Sequence, residues 1–361
     1  MPSRGRRGSP EITLAVLVSV LALLVTGSVG GQCDLGGDAA ARIGSGMCFE
    51  KTGRVILELG GKGSFDECNA KYPCVLKVGT QWWMWYNGRA GDCFTGGIGL
   101  AKSEDGLSWT KHTGGQPVFT TGPPGACDAT KVDHPAVVRF GGRFHMWYTA
   151  GDPKSTYRVA YATSVDGVSW TRQNSGRPVL DLGKPGAFDS KLVLHPAVLR
   201  DDRGVLHMWY NGAGPQRDFH VGYATSRDGV SWQRQNGGTA VLKPAELEGR
   251  REDYVYNVMV LSEAGRFHMW YSAALNLRSG QLTPRANAIV YASSSDGVKW
   301  QRDRSATLFN GEPGSIDEYC CFAPYVVRRG RELWMYYSIG HLVKAGDRRR
   351  FRTSLAIHRP R

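Results

Sequence analysis

His145-Met146-Trp147-Tyr148 decides the fold, because the same four residues return as His207-Met208-Trp209-Tyr210 and as His268-Met269-Trp270-Tyr271. Looser copies stand at Trp83-Met84-Trp85-Tyr86 and Trp334-Met335-Tyr336-Tyr337, so the Met recurs after 62, 62, 61 and 66 residues. Five copies at one spacing mean five similar supersecondary units, and that repeat has to be read before any single residue.

Around the repeated stretch each unit keeps one order. An Asp comes first (Asp66, Asp128, Asp189, Asp317), and seven residues later a Pro opens an apolar run, as in His134-Pro135-Ala136-Val137-Val138. Met-Trp-Tyr follows. A third run, such as Ala160-Tyr161-Ala162-Thr163, leads into Ser-x-Asp-Gly-x-x-Trp at Ser103 to Trp109, Ser164 to Trp170, Ser226 to Trp232 and Ser294 to Trp300, and a fourth run such as Arg177 to Leu182 closes the unit. Short β-branched and aromatic runs divided by Gly, Asp and Pro predict antiparallel strands rather than helices. The Asp-Gly pairs supply the positive backbone angles of tight turns. Four strands repeated five times predict an all-β, five-bladed β-propeller. Unit five stops at Arg352 to Ile357, a third strand with no fourth after it, while Gly53-Arg54-Val55-Ile56-Leu57 near the start parallels Gly176-Arg177-Pro178-Val179-Leu180. The N-terminal strand is therefore expected to complete the last blade and remove an open sheet edge.

An uninterrupted repeat makes residues 53–361 one domain despite the 361-residue length. Residues 1–31 read as a secretion signal: Arg4, Arg6 and Arg7 precede an apolar run from Ile12 to Val25, which is short for a span of roughly 20 residues. Residues 32–52 form an arm before the propeller. Secretion is the expected destination, with a signal-anchored membrane protein as the alternative and no stable insertion once the signal is cleaved. Eight Cys follow the signal, an even number suited to disulfides. Cys33 with Cys48, and Cys74 with Cys93, are the expected pairs, while Cys68, Cys127, Cys320 and Cys321 stand just ahead of inner strands. The net charge of +13 loses two with the signal, and Arg348-Arg349-Arg350-Phe351-Arg352 is its densest cluster. With no phosphate loop or nucleic-acid module beside it, this is a solvated basic face with some attraction for acidic polysaccharide, and nucleic acid is not an expected partner.

In a propeller the inner strands line the axis, and a ligand site there draws side chains from several blades. Residues present in every repeat build blades, whereas a polar residue placed in one or two is free to do chemistry. Subtraction removes Met-Trp-Tyr, the Asp-Gly turns and His145, His207 and His268. Left on the approaches to the inner strands are Asp66 and Lys71; Asp128, Asp133 and His134; Asp189 and His195; Glu252, Asp253, Tyr254 and Asn257; Asp317 and Glu318. For the repeated Asp two readings stand, turn caps or site carboxylates. Asp133, Glu252 and Asp253 do not repeat and are the stronger functional candidates.

The span from about Arg54 to Ile357 resembles the five-bladed glycosidase superfamily of arabinanases, levansucrases and invertases, in its Pro-Val-Leu inner strands, Met-Trp-Tyr second strands and Ala-Thr-Ser-x-Asp-Gly-x-x-Trp turns. The resemblance implies a secreted glycoside hydrolase acting on a furanoside or related sugar, with an Asp base or nucleophile, a second Asp tuning it and a Glu proton donor. Two carboxyl groups in different protonation states are what glycosidic cleavage needs. Transferred to this chain, the roles fall on Asp133, Glu252, Asp253 and Asp66, with Lys71, Asp128, His134, Asp189, His195, Tyr254, Asp317 and Glu318 about the substrate. Blade one has Tyr72 and blade three His195 where an acid would stand. The alternative function is a glycan-binding propeller without hydrolysis. No cofactor is required. His134 and His195 allow either a central hydrated Ca2+ or plain hydrogen-bonded channel histidines. Sialidases are set aside because their Asp-box turn has an extra residue between Asp and Gly.

Overall fold

The computed structural model describes residues 47–91, 96–247, 250–275, 287–341 and 350–360. The expected signal segment and most of the arm lie outside them. Among the described residues the chain is all-β, its regular elements being strands and three short 3-10 turns. No helix there is long and apolar enough to cross a membrane.

The strands pair in antiparallel runs of one pattern. In the second unit, Lys131–Phe140 pairs with Arg143–Gly151, which pairs with Tyr157–Ser164, which pairs with Thr171–Arg172. The first unit runs Asn69–Val78, Gln81–Arg89 and Gly96–Ser103; the third Leu192–Arg200, Leu206–Ala213 and Phe219–Ser226. Arg250–Glu263, Arg266–Leu275, Asn287–Ser294 and Gln301–Phe309 make the fourth. The last run, Cys320–Arg329, Glu332–His341 and Arg350–His358, receives Glu50–Leu57 as an antiparallel partner at its outer edge. The first strands of the units touch in sequence, and that of the last unit touches that of the first. The arrangement is propeller-like.

Both faces of the second strands are covered, because each unit stacks on two neighbours: every residue from Phe144 to Gly151 is buried. Trp85, Trp147, Trp209 and Trp270 are among the largest fully buried side chains. A buried Trp takes about 200 Å² out of water, roughly 5 kcal/mol before conformational entropy is charged against it. These rings also explain the turn sequence. Ser164 Oγ accepts the Gly167 N–H at 2.8 Å, and Asp166 Oδ1 accepts those of Val168 and Ser169 at 2.9 and 2.8 Å. Gly167 sits at φ +72°, and a Cβ there would come within 3.0 Å of both Trp83 and Trp85. Its carbonyl is the acceptor for Trp85 Nε1 of the preceding unit, at 2.9 Å. Trp147 and Trp209 repeat the link to Gly229 and Gly297 at 2.9 and 3.0 Å, and Tyr336 Oη reaches Gly106 at 3.0 Å. Trp270 faces the unit that has no such turn. Its Nε1 has no partner among the described residues, and Phe49 of the N-terminal arm meets the ring edge-on at 6.4 Å between centroids.

The cysteine pairing departs from expectation. Cys74 is a free, buried thiol whose Sγ accepts the Val137 N–H at 3.2 Å, so it is not the partner of Cys93. Cys127, Cys320 and Cys321 are likewise thiols outside any disulfide. Cys48 and Cys68 are the described cysteines in disulfides. Cys33 and Cys93 lie outside the described residues.

Candidate functional site: an axial charge cluster

The repeated acids resolve first. Each approach to an inner strand buries a carboxylate that accepts a Tyr hydroxyl from the second strand and pairs with a cation from the outer strand. Tyr86, Tyr148 and Tyr210 donate to Asp66, Asp128 and Asp189 at 2.9 Å each. The cations are Lys111 at 2.6 Å, Arg172 at 2.8 Å and Arg234 at 2.8 Å. In the fourth unit the acid is Glu252, with Tyr271 at 2.8 Å and Arg302 at 3.1 Å. In the last it is Asp317, with Tyr337 at 3.4 Å and Lys51 of the N-terminal strand at 2.7 Å. The expectation that Glu252 is peculiar to its unit is therefore corrected: it is the fourth copy of the repeated acid, one methylene longer and with one residue fewer between it and the inner-strand bulge. Burial pushes its carboxyl upward against the pull of Arg302. A carboxylate held in every unit by a second-strand Tyr and by a cation from a strand outside it is a brace between strands.

The second repeated feature is a bulge. Tyr72, His134, His195, Asn257 and Ala323 all have φ between 49° and 56°, each at a break in inner-strand register. Such angles cost a non-Gly residue about 1 kcal/mol or more. A hydrogen bond from the bulge N–H to the preceding unit offsets this: Tyr72 to Ser338 Oγ at 3.0 Å, His195 to Thr149 Oγ1 at 2.8 Å, Asn257 to Asn211 Oδ1 at 2.9 Å, Ala323 to Ser272 Oγ at 2.8 Å. His134 is the exception. Its N–H goes to Asp133 Oδ1 at 2.9 Å, and Asn87 Oδ1, the counterpart acceptor, is left without a partner.

The bulges bring their side chains together. The rings of Tyr72 and His134 lie 4.7 Å apart, those of His134 and His195 are stacked at 4.7 Å, and Phe322 closes on Tyr72 at 5.8 Å. At this level the axis is packed with rings. Beside them stands Asp133, 7% exposed, with Oδ2 accepting from Arg89 at 3.0 Å. Burial alone would raise its carboxyl, but Arg89, Lys131 and Lys71 outweigh that and hold it at about 2. Burial drives His134 down to about 4 and His195 well below its ordinary value, so both are neutral at pH 7. Burial also lowers Lys71 to about 8, helped by Arg89 and Lys131 and opposed by Asp133. The His134 ring faces the side chain of Asn257, which is 1% exposed, and the His195 ring faces that of Asn211, so one ring nitrogen of His134 and one amide atom of Asn257 are left without a partner among the described residues.

Of the expected site residues, the structure gathers Asp133, His134, His195 and Lys71. It sends Asp66, Asp128, Asp189, Glu252 and Asp317 to the braces. Asp133 and Glu252 share no partner, and neither appears among the charges acting on the other. Asp253 is buried with Arg251 Nε 4.0 Å away, Tyr254 meets Phe219 at 5.8 Å, and Glu318 Oε2 accepts the Gly314 N–H at 2.6 Å. Arg89 was missed. It stands where the other second strands carry Gly151, Ala213, Ala274 and Gly340, a signal visible had the subtraction been extended beyond the inner strands. No group of three or more His, Cys, Asp or Glu among the described residues is arranged to hold a metal ion. An open cleft of about 480 Å³ lies elsewhere, between Leu57 to Gly61 and the turn carrying Trp109 and Lys111.

The fold is shared with proteins that act on glycosidic bonds. A solved structure described as a glycoside hydrolase matches with a TM-score of 0.68 at 19% identity, covering 87% of this chain and 93% of that one. A second, from work on the GH130 family of mannoside phosphorylases and its hydrolases of β-1,2 mannosidic linkages, matches at 0.67 and 16% identity, covering 87% and 94%. By sequence the chain is 28% identical over 191 residues to an uncharacterised protein of Mycobacterium tuberculosis, 50% of this chain and 59% of that protein. It is 27% identical over 155 residues to a 1,2-beta-oligomannan phosphorylase of Thermoanaerobacter, 39% of this chain and 51% of that protein. The chain thus spans little more than half the length of the curated relatives it matches. No protein-family model matches it. The coarser resemblance to glycosidase propellers stands, and the finer placement among arabinanases, levansucrases and invertases gives way to a likeness to the mannoside phosphorylase and hydrolase group.

Proposed function

We propose that the chain is a secreted, carbohydrate-active five-bladed propeller, sealed by its N-terminal strand, that cleaves glycosidic bonds at the axial mouth around Asp133. The observation that carries this reading is the polar cluster there: an ionised carboxylate among cations, beside two neutral histidines and a buried amide, with a ring nitrogen and an amide atom left over among the described residues. Buried polar groups are normally satisfied, and those left unsatisfied mark a place where something polar binds. Sugar hydroxyls, which both donate and accept, suit such atoms.

A carboxyl held at about 2 is a base or nucleophile and not a proton donor. The paired-carboxylate scheme expected from sequence assigned the proton to Glu252, whose shell is closed by Tyr271 and Arg302. The proposed centre therefore rests on Asp133 with Lys71, Arg89, Lys131, His134 and His195, and furanoside preference has no support in the site. Binding without turnover is the second reading, favoured by the lack of any second carboxylate among the charges acting on Asp133.

The test is turnover of a panel of aryl and β-linked oligosaccharide glycosides, with and without inorganic phosphate, by wild type, Asp133→Asn and Glu252→Gln. Loss of turnover in Asp133→Asn, with activity per folded molecule kept in Glu252→Gln, supports the proposal. Wild-type turnover surviving Asp133→Asn overturns the centre, and tight glycan binding with no turnover of any substrate selects the second reading.

A further inference from the structure

We infer that the axial mouth recognises a glycan bearing its own oxyanion, of the uronate type, through Lys71 and Lys131. This rests on the reading of that mouth as the sugar site and names the class of sugar.

The first ground is charge. Three cations, Lys71, Arg89 and Lys131, act on one carboxylate, Asp133, and the adjoining histidines are neutral, so among the described residues cations outnumber the acid in this cluster. Arg89 already forms an ion pair with Asp133. The ammonium groups are not committed in that way. Lys71 Nζ makes no hydrogen bond or ion pair with any described carboxylate and lies 4.7 Å over the rings of both Tyr72 and Phe351. Lys131 Nζ has only the neutral Tyr157 hydroxyl, at 3.2 Å. Both lysines are half-buried, so water screens them less than it would at the surface. Like charges crowded together without acceptors are unfavourable unless a ligand completes the site.

The second ground is independent of charge. Asn257, 1% exposed, faces the His134 ring, and between them one amide atom and one ring nitrogen are left over with no partner among the described residues. These groups suit hydroxyls and do not account for the cations. Together with the Tyr72 and Phe351 rings beside Lys71, they describe a ligand with hydroxyls, an apolar ring face and an anion. A metal cation would be repelled by the lysines. A free dianion would face the ionised Asp133 with two charges where a sugar carboxylate brings one.

Calorimetric titration of the full chain with a panel of oligouronates, their methyl esters and inorganic phosphate tests the inference, because esterification removes the charge at nearly constant shape. At least one oligouronate is expected to bind about tenfold or more tighter than its ester at low salt, with the ratio shrinking as ionic strength rises. The ratio should fall toward one in Lys71→Met/Lys131→Met and be kept in Lys71→Arg. Acid and ester binding equally throughout the panel overturns the inference using wild type alone. So does inorganic phosphate binding at the mouth and enabling turnover of neutral glycans, which makes phosphate the anion that the lysines serve. If esters or neutral glycans are bound and cleaved as well as acids, only the oxyanion falls. If no glycan is bound or cleaved by the folded chain, the proposed function falls with it.

Discussion

Asp189 and Asp133 are both buried aspartates bonded to an arginine, yet their surroundings have opposite characters. Asp189 takes a hydrogen bond from Tyr210 and an ion pair from Arg234, and the same trio recurs round the molecule with Asp or Glu as acid and Lys or Arg as cation. Asp133 displaces Asn87 from a repeated hydrogen bond, carries an excess of cations and adjoins polar atoms with no partner. Burial and charge are common to both. What separates the two is repetition and charge: Asp189 belongs to a trio with one cation that recurs in the other units, whereas Asp133 occurs once and has three cations acting on it.

The comparison can be broken most forcefully at the brace. Asp189→Ala leaves Arg234 and Tyr210 without their acceptor and is expected to cost about 3 kcal/mol in urea unfolding. A loss under about 1 kcal/mol would mean that the brace is ornamental. At the axis the effect should appear in function instead: Asp133→Asn is expected to lower turnover by about 100-fold or more, as loss of a positioned base does, while its unfolding midpoint moves less than that of Asp189→Ala.

Acid sensitivity sharpens the contrast. His134 is held at about 4 in the native state against an ordinary 6.5, and His195 lower still, so between those values the unfolded chain binds more protons than the folded one. Stability should fall as pH drops from 6.5 toward 4, by up to about 1.4 kcal/mol per pH unit for each histidine. Asp133 is depressed as well, so its ion pair contributes fully above its unfolded value near 4 and is lost only toward 2. His134→Gln/His195→Gln should flatten the upper window and leave the lower one. An unchanged slope would show that the rings are not buried neutral.

The smallest effect lies at the rim. Trp209→Phe removes the hydrogen bond to Gly297, worth about 1 kcal/mol, whereas Trp270→Phe removes the same ring atoms with no bond to lose. The difference between the two unfolding free energies isolates the turn's contribution, and equal costs would assign it to packing alone.

Much of this was legible beforehand. Met-Trp-Tyr at a near-constant spacing yields the strand pattern because only stacked sheets bury both faces of a strand. The stranded third strand of the last unit likewise foretells the antiparallel pairing of Glu50–Leu57 with Arg350–His358. Subtracting repeated residues found Asp133, His134 and His195. It failed for Glu252, because a substitution of Glu for Asp and a one-residue deletion disguise a repeat that space preserves. It also failed for Arg89, which sits on a strand assumed to be purely structural. Proximity in sequence suggests pairing Cys74 with Cys93, but the Cys74 thiol faces the neighbouring unit and accepts the Val137 N–H.

The sequence by itself determined the strands, their order and their repetition, since these follow from local periodicity and turn chemistry read one unit at a time. Which acid meets which cation was settled only by the tertiary structure. An acid's partners come from other strands and other units, Lys51 for Asp317 and Arg89 for Asp133, and no spacing along the chain records that they meet.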